Sequence, residues 1–418
     1  GIIVVSLCVL LLGFWFYKTT KQTQQWQEQQ RQFMLTNKTA EATSPASTNV
    51  ATPSATTAVS TAPFETNAPE QTIVVTNNRV RYTFTSRGGG IKLIELLDYP
   101  EVVSARWKMK TGGETNNFAS LNTHAPVPVL SVLGGTNLVG DGYFKLTKTD
   151  YGVRAEKVLP DGLQLTKEFY FSSNYLVNAS VRFENVSNNA ISLAPQQFVV
   201  GTATLMDADD NGFYVTAMWY NGAVEENCGV SYFNTNTTTL GIFHRTPKTE
   251  YLEGNNNVSW AAAENQFFAL IAMPKTNRPA EKILATPVML PSLAENSGEI
   301  MGIQTALIYP AETIPAHSNY VRQIVLYAGP KEYRTLVKIG DQFQNRADLA
   351  MNFGKGYISF WGVGTFFAKL LLAGMNWLHD VFHAGYGLTI VLITVLLRAA
   401  FWPLTAASTR SMKRMQAL

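Results

Sequence analysis

LQLTKEFYFSSNYLVNASVRF, residues 163–183, decides the fold class. Leu163, Leu165, Lys167, Phe169 and Phe171 fall at every second position, and Tyr175, Val177, Ala179, Val181 and Phe183 do the same. A period of two sends successive side chains to opposite faces of a pleated strand, so each run buries one face and wets the other. Ser172–Asn174 between them is made of turn formers. The alternation recurs at Val80, Tyr82 and Phe84, after Asn77–Asn78. Turn signals at Gly88–Gly90, Gly134–Gly135, Asn188–Asn189 and Asn255–Asn257 separate further runs. Many strands with no interleaved helical period predict an antiparallel β-sandwich over residues 72–328. Past Gly329–Pro330 the period changes. Tyr333, Leu336, Val337, Ile339 and Phe343 stand at helical spacing, which predicts a helical connector over residues 329–356.

Upstream, Thr36–Gln71 is low in complexity, as in ATSPASTNVATPSATTAVSTAP at 42–63. It has too few large apolar residues to build a core and reads as a flexible tether. The Gln-rich Lys21–Gln32 before it suits a helix running into water, so juxtamembrane helix and linker together cover 19–71. Gly1–Tyr17 is apolar apart from Ser6, carries Trp15 and Tyr17 at aromatic-belt positions, and is followed by Lys18. At 1.5 Å per residue it just spans a hydrocarbon core of about 30 Å. No small-x-small cleavage site follows, so residues 1–18 are predicted to be an uncleaved anchor.

A second apolar stretch, YGLTIVLITVLLRAAFWPL at Tyr386–Leu404, is long enough to span and holds one charge, Arg398. The sequence has no acidic residue after Asp380, and Arg410, Lys413 and Arg414 follow the span closely. By the positive-inside rule that basic flank is cytoplasmic, which places residues of about 19–385 outside the membrane's cytoplasmic face. Residues 357–383 are also apolar. A third span there would put Lys369 near the bilayer centre, at about 2.5–3.5 kcal/mol. Thr365, Lys369, Asn376, Asp380 and His383 share one helix face, a narrow polar stripe that suits a helix lying in the membrane interface, with Lys369 and Trp377 at the headgroup level. Arg398 lies about 18 Å into its span. Two readings of it stand: a long side chain snorkelling to headgroups, or a charge facing a water-filled cavity between helices.

Other chemistry is thinly represented. Hydrophobic residues make up 46% of the chain and the net charge is +3, with no basic cluster interleaved with aromatics, so nucleic acid is not an expected partner. Cys8 and Cys228 form neither a disulfide framework nor a metal site. Asp207, Asp209, Asn211 and Gly212 match the start of a calcium loop, but Met218 stands where the bidentate Glu belongs, so the stretch reads as a solvated turn. His379 and His383 have the spacing of a zinc-protease pair, with Asp380 in place of the Glu, and no metal is expected. His124, His244 and His317 are scattered. Arg87–Ile91, RGGGI, lacks the end of a phosphate-binding loop and reads as a tight turn. No catalytic residue and no cofactor is expected.

YAGPKEYRTL at 327–336, the aromatic-rich helix at 360–379, YGLTIVLITVLLRAAFWPLT at 386–405 and STRSMKRMQAL at 408–418 together resemble the YidC family of membrane protein insertases, in its Gram-negative form. GGGIKLIEL at 88–96 looks like the start of that family's periplasmic domain. The resemblance implies a mutarotase-like β-supersandwich for the β-domain, an amphipathic interfacial helix for 357–383, and a polar groove in which Arg398 receives acidic parts of a client. It implies nascent inner-membrane proteins, the Sec translocon and membrane lipids as partners, an inner-membrane location, and no enzymatic reaction. Residues 406–418 look like the start of a cytoplasmic helical hairpin, and further core spans are expected beyond Leu418. The alternative is a membrane-tethered periplasmic carbohydrate-binding or mutarotase-like protein. A deep cleft with converging Glu, His and Arg would favour it.

Overall fold

The computed structural model describes residues 64, 68–101, 117–172, 175–206, 210–234, 248–275, 279–291, 299–353, 363–383 and 385–416. The predicted anchor at 1–18 and the calcium-like Asp207–Asp209 lie outside the described residues, as do His244 and nearly all of the tether. The chain divides into two compact units, Thr23–Ala350 and a second one containing Met351–Leu418.

The first unit is all antiparallel in its strand pairing among the described residues. A nine-stranded sheet runs, edge to edge, through Glu225–Gly229, Thr216–Tyr220, Trp260–Glu264, Phe268–Pro274, Asn319–Pro330, Leu176–Asn185, Leu163–Phe171, Gly152–Val158 and Lys145–Thr149. A five-stranded sheet runs through Tyr251–Glu253, Lys282–Pro291, Glu299–Tyr309, Gln196–Ala203 and Val132–Leu133. Its strands Gln196–Ala203 and Glu299–Tyr309 face Trp260–Glu264 across the core. Thr72–Thr76, Val80–Thr85, Gly90–Pro100 and Phe118–Leu121 form a four-stranded sheet, and Ile191–Leu193 pairs with Glu312–Ile314. The predicted β-sandwich is therefore present, with strands running to Pro330.

The deciding stretch folds as its alternation requires. Leu163 pairs with Asn185 and Phe171 with Val177 across one hairpin. Leu163, Leu165, Phe169, Val177, Ala179, Val181 and Phe183 are buried. Tyr175 is buried too, but as a turn residue at φ 65° whose hydroxyl donates to Asp98 at 2.9 Å, so the strand starts one residue later. Lys167 keeps its inward position and is fully buried, which costs free energy unless the amine is hydrogen-bonded. Its Nζ donates to the carbonyls of Gly88 (2.7 Å) and Leu130 (3.1 Å) and sits 4.7 Å from the Phe144 ring centre. Burial, with the Lys157 ammonium nearby, pushes the Lys167 amine well below the usual lysine range.

The helical connector is α1, Tyr333–Phe343, which buries Leu336, Ile339 and Gly340. Gln344, in the left-handed conformation, ends it. The next residue, Asn345, accepts a 2.8 Å hydrogen bond from the indole of the fully buried Trp260, which ties the end of α1 to the nine-stranded sheet.

Residues just before the first strand are also held. Glu70 accepts from the Thr85 hydroxyl (2.6 Å) and from Lys92 Nζ (2.9 Å). Partial burial works against the Glu70 carboxylate, but these two donors outweigh it and hold its pKa below the ordinary value. A carboxyl group whose folded pKa is depressed stabilises the fold above its unfolded pKa, about 4, and loses that contribution as pH falls through the lower folded value. Thermal melts of the full chain are expected to drop below about pH 4, and less steeply for Glu70→Gln. Equal acid slopes for the two proteins would remove Glu70 from the account.

Candidate functional site: an apolar helix pair with a basic end

The β-domain contains one buried acid–base cluster that invites an enzymatic reading. Glu264 closes the strand Trp260–Glu264 and is 1% exposed, and its carboxylate lies 3.3 Å from Lys331 Nζ. Thr216, its cross-strand neighbour, donates to Glu264 at 2.9 Å, and Lys331 donates to the carbonyl of Asn265 at 3.3 Å. The adjoining space, lined by Asn122, Thr202, Thr204, Glu264 and Asn265, measures about 10 Å³. That volume holds one water and no sugar ring. Arg322, a second buried cation, stacks 3.3 Å from the centre of the Tyr309 ring and lies 3.9 Å from Glu312. Burial pushes the Tyr309 phenol up to about 12, against the pull of Arg322. His124 takes a left-handed turn conformation, and His317 shares a 3.0 Å hydrogen bond with Asn188 in an exposed turn. Among the described residues no group of three His, Cys, Asp or Glu side chains could hold a metal.

The second unit has the opposite surface. Two helices are described, α2 at Val363–Phe382 and α3 at Tyr386–Gln416. His383, at φ 48°, ends α2 in the left-handed region, and Gly385 leads into α3. The helix direction bends by 119° between Phe366–Phe382 and Tyr386–Ala399. The elbow is fastened by the His379 ring stacked on Tyr386, with centres 4.4 Å apart and planes 7° from parallel. Thr389 is fully buried there and returns its hydroxyl to the Gly385 carbonyl at 3.3 Å. Gly374 admits the close approach of α3: a β-carbon at that position would lie 3.4 Å from Ile393 Cδ1.

Outside this contact the pair is apolar and open. Phe366, Phe367, Leu370, Trp377, Val381 and Phe382 are exposed on α2, as are Leu388, Ile390, Val391, Val395, Leu396 and Trp402 on α3. A contiguous surface of that kind is unfavourable in water and marks contact with lipid or protein. Among the described residues no single helix is long and apolar enough to cross a membrane, while the bent pair meets that test by length and composition. Tyr386–Ala399 alone reaches about 21 Å, but the α3 backbone continues without a break through Leu404, the predicted end of the span.

Of the singled-out residues, Arg398 is exposed one turn before Trp402 and Trp377 is 61% exposed, while Lys369 is half-buried. Arg410, Lys413 and Arg414 lie on the last turns of the same continuous helix as Arg398. The structure thus strings Arg398 and the basic residues Arg410, Lys413 and Arg414 along α3, and puts Lys369 and Trp377 on α2. One feature of α3 escaped the sequence reading. Positions 394, 398, 405 and 409 fall within about 60° of one another at 100° per residue, so three threonines share a face with Arg398. Thr394, one turn before the arginine, donates its hydroxyl to the Ile390 carbonyl at 2.7 Å, which satisfies it inside an apolar helix. The signal was a spacing of 4, 7 and 4, hidden within an otherwise apolar run.

A compact β-sandwich followed by helices whose surface is unmatched to water defines a class of protein that works against an apolar phase. The chain belongs to the YidC family: the model of the YidC periplasmic domain matches residues 72–372. Relatives named membrane protein insertase YidC include those of Pseudoalteromonas atlantica (24% identity over 84% of this chain), Syntrophus aciditrophicus (25% over 100%) and Neisseria meningitidis (24% over 84%). The chain spans 60%, 71% and 62% of those relatives' respective lengths. It is a family of insertases rather than of enzymes. Among solved structures, the chain is similar to a galactose mutarotase related enzyme from Lactobacillus acidophilus at 8% identity, with a TM-score of 0.38 over 62% of this chain and 97% of the other. A putative aldose 1-epimerase from Escherichia coli K12 gives 9% identity and a TM-score of 0.38 over 63% of this chain and 100% of the other. Nothing about activity follows from likenesses of that size.

Proposed function

We propose that this chain is the leading part of a bacterial inner-membrane insertase, which receives nascent membrane proteins and releases their apolar segments into lipid, alone or docked on the Sec translocon. The observation that carries this reading is the match to the Syntrophus insertase along the whole chain, which takes in the Arg398 helix as well as the β-domain. In this reading residues 1–18 anchor the chain, 19–71 tether the β-domain on the periplasmic side, α2 lies in the interface, and α3 crosses with its basic end in the cytoplasm. The stripe of Thr394, Arg398, Thr405 and Thr409 faces a polar groove completed by spans beyond Leu418. A fixed cation in such a groove attracts acidic residues of a client and keeps the groove hydrated. The client's apolar residues then move into lipid, each favoured by about 0.3–0.6 kcal/mol. No nucleotide and no covalent step is required.

The test is depletion of the resident insertase in a Gram-negative host carrying the full-length parent gene. The expected result is restored growth and protease-protected insertion of a single-spanning client. Normal amounts of membrane-embedded protein with neither growth nor insertion would overturn the proposal.

A further inference from the structure

Phe64 is the one aromatic residue between Thr36 and Gln71, in a tether otherwise built from Thr, Ser, Ala, Pro, Asn and a few other small or polar residues. Its side chain packs against Val127, Leu133 and Val199, a buried cluster of the β-domain. The ring lies on a pair of glycines. A β-carbon on Gly88 would come within 2.6 Å of Phe64 Cζ, and one on Gly142 within 2.5 Å of Phe64 Cδ1. Both glycines have positive φ, +73° and +72°, so the conformation that makes the seat and the space that admits the ring have the same cause. Neither loop is free to move away. Gly88 N–H donates to the Gly142 carbonyl at 2.7 Å, and the Gly88 carbonyl accepts from the buried Lys167 amine at 2.7 Å. The chain that follows is fastened as well: Gln71 N–H donates to Ser86 Oγ at 2.8 Å, Ser86 N–H donates to the Gln71 carbonyl at 2.8 Å, and Glu70 pairs with Lys92.

We propose that Gly88 and Gly142 form a one-ring socket on the β-domain, and that Phe64 is the latch by which the tether docks in it. The consequence is mechanical. The free length of the tether ends at Phe64 rather than at the first strand, and the domain is held from its Gly88–Gly142 side. The buried Lys167, which has no catalytic partner, acquires a role: its ammonium or amine braces the Gly88 carbonyl and keeps the seat in shape. A tether that needed only reach would gain nothing from a lone phenylalanine, which in water is a liability.

The experiment uses the full chain in detergent micelles. Hydrogen exchange at the Gly88 and Ser86 amides is compared between wild type and Phe64→Ala, with the Leu176–Asn185 strand as an internal check of the fold. The expected result is at least about tenfold faster exchange at Gly88 and Ser86 in the variant, unchanged exchange in the strand, and partial return of protection in Phe64→Leu. A second measurement removes dependence on the variant's folding. Chymotrypsin should cut after Phe64 at least about tenfold more slowly than after a reference phenylalanine introduced further up the tether by Thr57→Phe. Unchanged exchange at Gly88 and Ser86 in Phe64→Ala, or equal cutting at the two phenylalanines, would overturn the latch.

Discussion

Lys331→Met is expected to destabilise the β-domain by about 3–5 kcal/mol, because it strands Glu264 as a buried charge. The carboxylate is 1% exposed and the lysine side chain 8%, so neither can turn to water when its partner goes. The pair itself is no large source of stability, since taking both charges out of water costs about as much as their attraction returns. That asymmetry sets the test. Glu264→Gln with Lys331→Met removes both charges while keeping an acceptor for Thr216, and should recover most of the loss, leaving about 1 kcal/mol. Urea titration of the full chain, followed through its tryptophan emission, separates the cases, since Trp219 and Trp260 lie buried in the same sheet. A double variant as unstable as Lys331→Met alone would show that packing of the lysine stem, not the stranded charge, was lost.

The same pair bears on the mutarotase-like alternative. Glu264 and Lys331 are turned toward each other at 3.3 Å, and the space beside Glu264 measures about 10 Å³. General acid–base work on a sugar needs an open cleft into which both groups point. Here the side chains that could have formed one are consumed in satisfying each other.

The sandwich was legible because burial imposes its period directly on the residues. The runs at Leu163–Phe171 and Tyr175–Phe183 alternate, and the alternating residues are buried except Phe171, which is half-buried at the strand end, while Thr166 and Leu176 are buried off the pattern. Even Lys167, which breaks the apolar pattern, was placed correctly by its register, although nothing in the sequence says that two carbonyls from distant loops would receive its amine. The helical spacing of Tyr333, Leu336, Val337, Ile339 and Phe343 falls on α1, which fills only part of the connector predicted over 329–356. What the sequence hid was non-local. Glu264 and Lys331 are far apart in the chain, and their pairing follows from strand order, as does the seat made by Gly88 and Gly142. The Phe64 contact is non-local in the same way, since nothing in a run of Thr, Ser, Ala and Pro says that one ring would reach two glycine turns. In the second unit the apolar runs at 357–383 and 386–404 are plain in the sequence, whereas the elbow, with His379 on Tyr386, needs three dimensions. His379 reads as half of a metal pair in sequence and as a stacking partner in space.

Arg398 carries the account's central claim, that a positive charge on the apolar helix α3 receives clients. A snorkelling residue would serve with almost any polar side chain, whereas an electrostatic receptor requires the sign of the charge. The most direct measurement is depletion–complementation with the full-length parent gene carrying Arg398→Lys, Arg398→Ala or Arg398→Glu, at matched protein levels. The account predicts growth and client insertion with Lys, a marked loss with Ala, and at least about a tenfold loss of insertion with Glu, where the sign of the charge that meets acidic client residues is reversed. Normal growth and insertion with all three would contradict it, and Arg398 would then be a residue that reaches for headgroups and nothing more.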